Sequence, residues 1–176
     1  MFRKKLAIAI VFSISNLAQA ALPLGKIPPK IQLSQDAGGR IDGKPWLSSE
    51  LSGKVHLLVY SSPGEKDLNN KATELIKKEN YPKDQFASVA VVNMAASWLP
   101  NKLIESAIKS KQKSYPNTTY VKDLNKSLVK KWNLADNSND IILFNQKGEV
   151  VFSVDGELND QDIKNLNNKI SSLIKS

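Results

Sequence analysis

The chain has 176 residues, 41% of them hydrophobic and 24% charged, a formal net charge of +8, one histidine and no cysteine. That composition fits one folded domain and sets aside disorder, fibrous repeats and polytopic membrane proteins. Without cysteine there is no disulfide framework, thiolate nucleophile, Cys-ligated metal or lipoprotein anchor, and a lone histidine leaves little from which to build a hydrolytic triad or a histidine metal site.

Arg3, Lys4 and Lys5 precede the apolar run Leu6 to Ile14 and the small-x-small triplet Ala18, Gln19, Ala20, the layout of a secretory signal peptide cleaved after Ala20. The run is about half of the roughly 20 apolar residues that span a bilayer. Residues 21–176 are therefore expected as one exported domain without an integral membrane segment. Cleavage lowers the formal charge from +8 to +5 and leaves Arg40 as the only arginine. Lysines such as Lys77, Lys78, Lys130 and Lys131 are dispersed near helix ends, so they read as solvated faces, and no nucleic-acid partner is expected.

Residues 21–29 carry three prolines and a glycine and predict an extended lead-in. Ile31 to Leu33 reads as a short strand, and Gly38, Gly39 and Gly43 punctuate a turn-rich stretch ending at Leu47. Val55 to Tyr60 is nearly continuous in apolar side chains, which predicts a central strand covered on both faces. After Ser61-Ser62-Pro63-Gly64, the spacing of Leu68, Ala72, Leu75 and Ile76 predicts an amphipathic helix, and Ala87 to Val92 a second buried strand. Two such strands joined through a helix make a parallel βαβ unit. Pro100 opens a helix with Leu103, Ile104, Ala107 and Ile108 as its stripe. Thr118 to Val121 follows as an extra strand and Leu124 to Trp132 as a short helix. Ile141 to Phe144 and Val150 to Val154 flank Asn145 to Gly148, an antiparallel hairpin signal. Asn159 with Asp162 forms a helix cap before the stripe Ile163, Leu166, Ile170, Leu173 and Ile174.

The order βαβ, helix, ββα is that of a thioredoxin-like α/β domain, a central mixed sheet with helices on both faces. GRIDGKPWLSSELSGK (Gly39 to Lys54) before HLLVYSS resembles the entry of the peroxiredoxin and thiol-disulfide branch, and YVKDLNKSLVKKWNL followed by IILFNQKGEVVFSVDG is similar to its terminal hairpin region. The whole stretch from about Ile31 onward resembles the YtfJ family of small exported bacterial proteins. In redox-active relatives the cysteines occupy the turn after the central strand, at a helix N-terminus. Here Ser61, Ser62, Pro63 and Gly64 stand there, so the resemblance implies the scaffold without disulfide exchange or peroxidase chemistry. The cis-proline that redox members carry before the hairpin strand is also missing, with Asn139 and Asp140 in its place.

Ser61 or Ser62 is expected to cap the following helix with Pro63 in its first turn, or alternatively to offer free N–H groups to an anion or a partner's carboxylate. His56 alternates with Val55 and Leu57 and reads as a core histidine. Asp36, Asp42, Asp67, Asp123, Asp155, Asp160 and Asp162 are scattered through turns and caps without calcium-loop spacing. Trp98 sits in the loop after the second strand, either as a contact surface with Met94 and Leu99 or as a cluster packing the next helix. Trp46 and Trp132 read as core. Ligands of open parallel sheets gather at the carboxyl ends of strands. The candidate rim is accordingly Ser61, Ser62, Gly64, Lys66, Asn93, Trp98, Asn139 and Asp140, holding a small anion, a peptide or an envelope protein, with no cofactor or metal. The alternative is a non-thiol enzyme using Ser62 or Asp140 at the helix N-terminus.

Overall fold

The structure is a computed structural model in which residues 22–175 are described; the leader, its cleavage point and residue 21 lie outside them. In chain order the elements are β1 (Gln32–Leu33), β2 (Gly38–Arg40), β3 (Trp46–Leu47), β4 (Val55–Ser61), α1 (Asn70–Glu79), β5 (Phe86–Asn93) and α2 (Asn101–Ser114). They continue with β6 (Thr118–Asp123), α3 (Ser127–Trp132), β7 (Asn139–Phe144), β8 (Val150–Asp155) and α4 (Asp160–Ile174). Strands β1 and β3 form a small ribbon, and the main sheet has the order β2-β6-β5-β4-β7-β8. Its middle pairs, β4 with β5 and β5 with β6, are parallel, while β7 and β8 are antiparallel. The architecture is the mixed α/β one that the element order predicted.

Side-chain alternation along β4 divides the core. Leu58 and Tyr60 pack with Val89, Val91, Ile142, Phe144, the β1–β3 residues Leu33 and Trp46, and Leu128 and Trp132 of α3. Val55, Leu57 and Val59 turn to the opposite face, against Ala72 and Ile76 of α1 and Ile163, Leu166 and Ile170 of α4. Helix α2 joins that second face through Ile104 and Ile108, beside Ala90, Val92 and Tyr120. Three helices therefore cover one face, and α3 with the β1–β3 ribbon covers the other. Trp46 and Trp132 are core, at 0% and 4% exposure.

Local chemistry accounts for most boundaries. Asn159 Oδ1 accepts from the N–H groups of Gln161 and Asp162, both at 2.9 Å, and Asp162 answers from Asn159 N–H at 3.3 Å, a reciprocal cap on α4. Gly148 takes the positive φ of the β7–β8 turn at +80°. The proline-rich lead-in runs beside β8, with Gly25 N–H donating to Val150 and Val150 N–H to Lys26.

The structure corrects three expectations. The glycine-rich stretch before Leu47 contains strand β2, paired antiparallel to β6. Its Gly38 has φ +116°, and a Cβ there would lie 1.9 Å from the carbonyl oxygen of Lys122. The short helix α3 starts at Ser127 and not at Leu124, because the Asp123 carboxylate takes up the amides of Asn125, Ser127 and Leu128 at 2.8–3.2 Å and holds the intervening backbone out of the helix. Finally, Ser61 and Ser62 do not cap a helix. Successive turns, Glu65 N–H to Ser62 O, Leu68 N–H to Glu65 O and Asn70 N–H to Asp67 O, carry the chain to α1, which begins at Asn70.

Replacing Gly38 with alanine combines an unfavourable φ with a backbone clash and should cost about 2–4 kcal/mol. Urea unfolding of Gly38→Ala against wild type measures it; a loss below about 0.5 kcal/mol would show that β2 does not approach β6 this closely.

Candidate functional site

Ser61, Ser62, Asn93, Asn139 and Asp140 meet at the carboxyl ends of β4 and β5 and the start of β7, but the pleat sorts them onto opposite faces. Register pairs Tyr60 with Val91 and Asp140, and Ser61 with Val92 and Asn139. Ser62, Asn93 and Asp140 consequently share the Tyr60 face, while Ser61 and Asn139 share the α1 face. Gly64 and Lys66 lie in the exposed turn between, where Lys66 pairs with Asp67 at 2.6 Å.

On the α1 face the polar groups serve the scaffold. Asn69 Nδ2 donates to Asn139 Oδ1 at 3.1 Å and to Gly156 O at 2.9 Å, and its own Oδ1 accepts from Leu158 N–H at 2.9 Å. Asn139 Nδ2 donates to Glu65 O at 2.8 Å. These contacts hold the 62–69 turns against the start of β7 and the β8–α4 connection.

The Tyr60 face is different. Ser62, Asn93 and Asp140 are 1%, 0% and 1% exposed, yet among the described residues Ser62 Oγ and Asn93 Oδ1 have no hydrogen-bond partner, and the Asp140 carboxyl group has none but a loose approach of the Ala135 backbone. Around them the polar groups are paired. Asn93 Nδ2 donates to the carbonyl and carboxylate of Asp136 at 2.7 and 3.0 Å. Lys126 reaches Asp136 at 2.6 Å, and Tyr60 donates to Asp123 at 3.2 Å. Asp123, which reads along the chain as one of the scattered turn acids, is joined here by Tyr60, Lys126 and Asp136, and the parity of Tyr60 with Ser62 is the sequence signal for Tyr60.

Burial first, then the Asp155 carboxylate across the β7–β8 pair, pushes Asp140 up to about 8 from 3.8, with the Ala135 backbone opposing. Burial and the neighbouring Asp123 likewise push the Tyr60 phenol upward, whereas Lys126 holds Asp136 below the usual carboxylate range. At neutral pH Asp140 is thus a neutral carboxyl group, able to donate one hydrogen bond and accept others.

The arrangement does not assemble the enzyme alternative. Neither Ser62 nor Asp140 sits at a helix N-terminus, since α1 begins at Asn70. No base contacts Ser62 Oγ. His56 lies toward the other end of β4, about 20 Å along the strand from Ser62, and its Nδ1 is engaged with the Lys54 carbonyl at 2.9 Å. Burial lowers the His56 pKa, as befits a core imidazole. Trp98, in contrast, is 91% exposed, beside Leu99 at 38%; it does not pack α2 onto the sheet.

The family described as "Bacterial protein of unknown function (YtfJ_HI0045)" matches residues 27–173. The chain belongs to that family. Among its relatives are the uncharacterized protein YtfJ of Escherichia coli, 26% identical over 136 residues that cover 75% of this chain and 73% of that protein. An uncharacterized protein of Haemophilus influenzae is 24% identical over 97% of this chain and 96% of its own. Similar solved structures include the thioredoxin domain of a thiol-disulfide oxidoreductase from Bacteroides vulgatus, with a TM-score of 0.60, 22% identity and coverage of 84% and 97%. The exposed lipoprotein thioredoxin of Streptococcus pneumoniae has a TM-score of 0.55 at 18% identity, covering 80% of this chain and 99% of its own. The fold of this YtfJ-family member is therefore thioredoxin-like, on a chain with no cysteine.

Asp140 supplies a pH test. Folded, it keeps its proton up to about pH 8; unfolded, it loses it near 3.8. Its stabilising contribution is full below the lower value and is lost as pH rises through the upper one. The Tm of Asp140→Asn relative to wild type should therefore climb between pH 5 and pH 8, the comparison cancelling the opposite trend of His56. A pH-independent difference would place an ordinary carboxylate at this position.

Proposed function

We propose that this YtfJ-family chain is an exported, non-redox binding module of the bacterial envelope, engaging a peptide or protein segment at the strand-end rim. The observation that carries the proposal is the exposure of Trp98, 91%, in the loop after β5. A tryptophan offers a large contact area at low conformational cost and anchors interfaces more often than its abundance would suggest. It follows the carboxyl end of β5, the end of the sheet at which open parallel sheets gather their ligands.

Beneath the same edge, the unpartnered Ser62, Asn93 and Asp140 oxygens are a further reason to place function there. Buried polar groups without partners cost stability and concentrate at functional sites. They favour a partner that both donates and accepts, such as a peptide backbone or an amide, since Ser62 and the neutral Asp140 carry O–H donors beside the Asn93 acceptor. A small anion has less to recommend it, because the helix N-terminus that would have attracted one lies at Asn70. A chain without thiols has no disulfide exchange to perform, which supports a holding role over an oxidoreductase one. Export rests on the charged, apolar and small-residue segments of the first 20 residues.

A photo-crosslinking amino acid placed at position 98 should give one discrete adduct in intact cells. The same label at the exposed Lys109 of α2 should give none. Absence of an adduct at 98, or identical adducts from both positions, would contradict the proposal. The chain recovered from the periplasmic fraction should begin at Ala21; full-length chain confined to the cytoplasm would remove the envelope from it.

A further inference from the structure

The helix-covered face of the sheet is incompletely covered. Val59, Ala90 and Val92, in the middle of the main sheet, are only half-buried, whereas Leu58, Tyr60, Val89 and Val91 on the other side of the same strands are at most 5% exposed. The gap lies between α1 and α2. It forms a cavity of about 600 Å³ with a predominantly apolar lining, within the size range of small-molecule sites. The sequence creates it by placing small residues where a packed core would have large ones: Ser88 and Ala90 on the floor and Ala107 on the wall. At one end Leu99 and Leu103 are exposed at 38% and 57%, extending the apolar surface outward.

The two helices meet through polar groups. Lys111 Nζ donates to Asn70 Oδ1 at 3.2 Å and pairs with Asp67 at 3.3 Å. Tyr115 donates to Glu74, and the ammonium groups of Lys77 and Lys111 lie 4.5 and 5.3 Å from the Tyr115 ring centre. Such exposed contacts are individually weak and can open. The ionisable lining is one-sided. Lys66, Lys77, Lys83 and Lys111 reach the cavity, and among the described residues no carboxylate lines it. Asp67 is shared by Lys66 and Lys111, and Glu74 lies 4.0 Å from Lys77, so the four lysines that reach the cavity have two acids paired with them.

We infer that the cavity between α1 and α2 is a binding site for an anionic amphiphile, a molecule with a hydrocarbon tail and a carboxylate-type head. The tail lies on Val59, Ala90, Val92 and Ile104, and the head meets the lysine rim. The site occupies the sheet face opposite Ser62, Asn93 and Asp140 and does not depend on partner binding at Trp98.

Calorimetric titration of the folded chain with laurate, lauryl alcohol and acetate tests the two components separately. Laurate should bind and raise Tm, acetate should not bind, and lauryl alcohol should bind more weakly than laurate. Ala107→Trp, on an exposed helix position, should lower laurate affinity by at least about tenfold by occupying the cavity. Ser88→Leu does the same from the floor, and circular dichroism confirms that each variant is folded. The double variant Lys77→Gln, Lys111→Gln should weaken laurate and leave lauryl alcohol unchanged. Laurate binding that survives both blocking variants, or equals acetate binding, overturns the site; equal affinities for laurate and lauryl alcohol overturn the anionic head. A concentration-dependent dimer dispersed by Ala107→Trp also overturns it, since a second copy would then fill the groove.

Discussion

The hydrogen bonding of β4 along both edges determines where everything else can be. With β5 parallel on one side and β7 antiparallel on the other, neither edge is free to slip, and apolar residues on both faces commit the strand to the middle of the core. A one-residue shift would exchange Tyr60 and Ser62 with Val59 and Ser61, turning the Tyr60 phenol toward α1 and away from Asp123. The registry of β4 thus places three polar strand ends, Ser62, Asn93 and Asp140, side by side on one face, and a separate apolar cavity on the other.

Much of this organisation can be read along the chain because it follows from local periodicity. The alternating faces of β4, β5 and β7 and the 3.6-residue stripes of α1, α2 and α4 are carried by their own residues. So are the Asn145 to Gly148 turn and the reciprocal cap of Asn159 and Asp162. The start of α1 is not local in the same way. Ser-Ser-Pro-Gly looks like a helix entry, but no apolar stripe begins before Leu68, and the Asn69–Asn139 contact, formed between residues 70 positions apart, holds the segment in turns. The delayed start of α3 likewise depends on the side chain of Asp123, whose capping role becomes apparent only when β6 ends beside it.

The grouping of Ser61, Ser62, Asn93, Asn139 and Asp140 was legible too, since each lies at a strand end, while their separation was not. Parity places Ser62 with Tyr60 and Ser61 with Asn139, but which face carries α1 and which carries α3 is settled by long-range packing. The cavity between α1 and α2 left a fainter trace. Ser88, Ala90 and Ala107 look like ordinary small residues until two parallel crossovers bring them to the same space. Retaining buried acceptors without protein partners costs stability at one edge of the domain, and the tightly packed layers formed by Leu58, Val91, Ile142 and Phe144 supply the stability that permits it.

The strand-end floor is a buried polar site dominated by a neutral Asp140. Following the carboxyl carbon resonance of selectively labelled Asp140 from pH 4 to pH 10 tests it at the atom concerned. A midpoint near 8, with the carboxyl group protonated at neutrality, is the result expected from its burial and the Asp155 neighbour; titration close to 3.8 would show that water or another donor reaches the group freely and that no such floor exists.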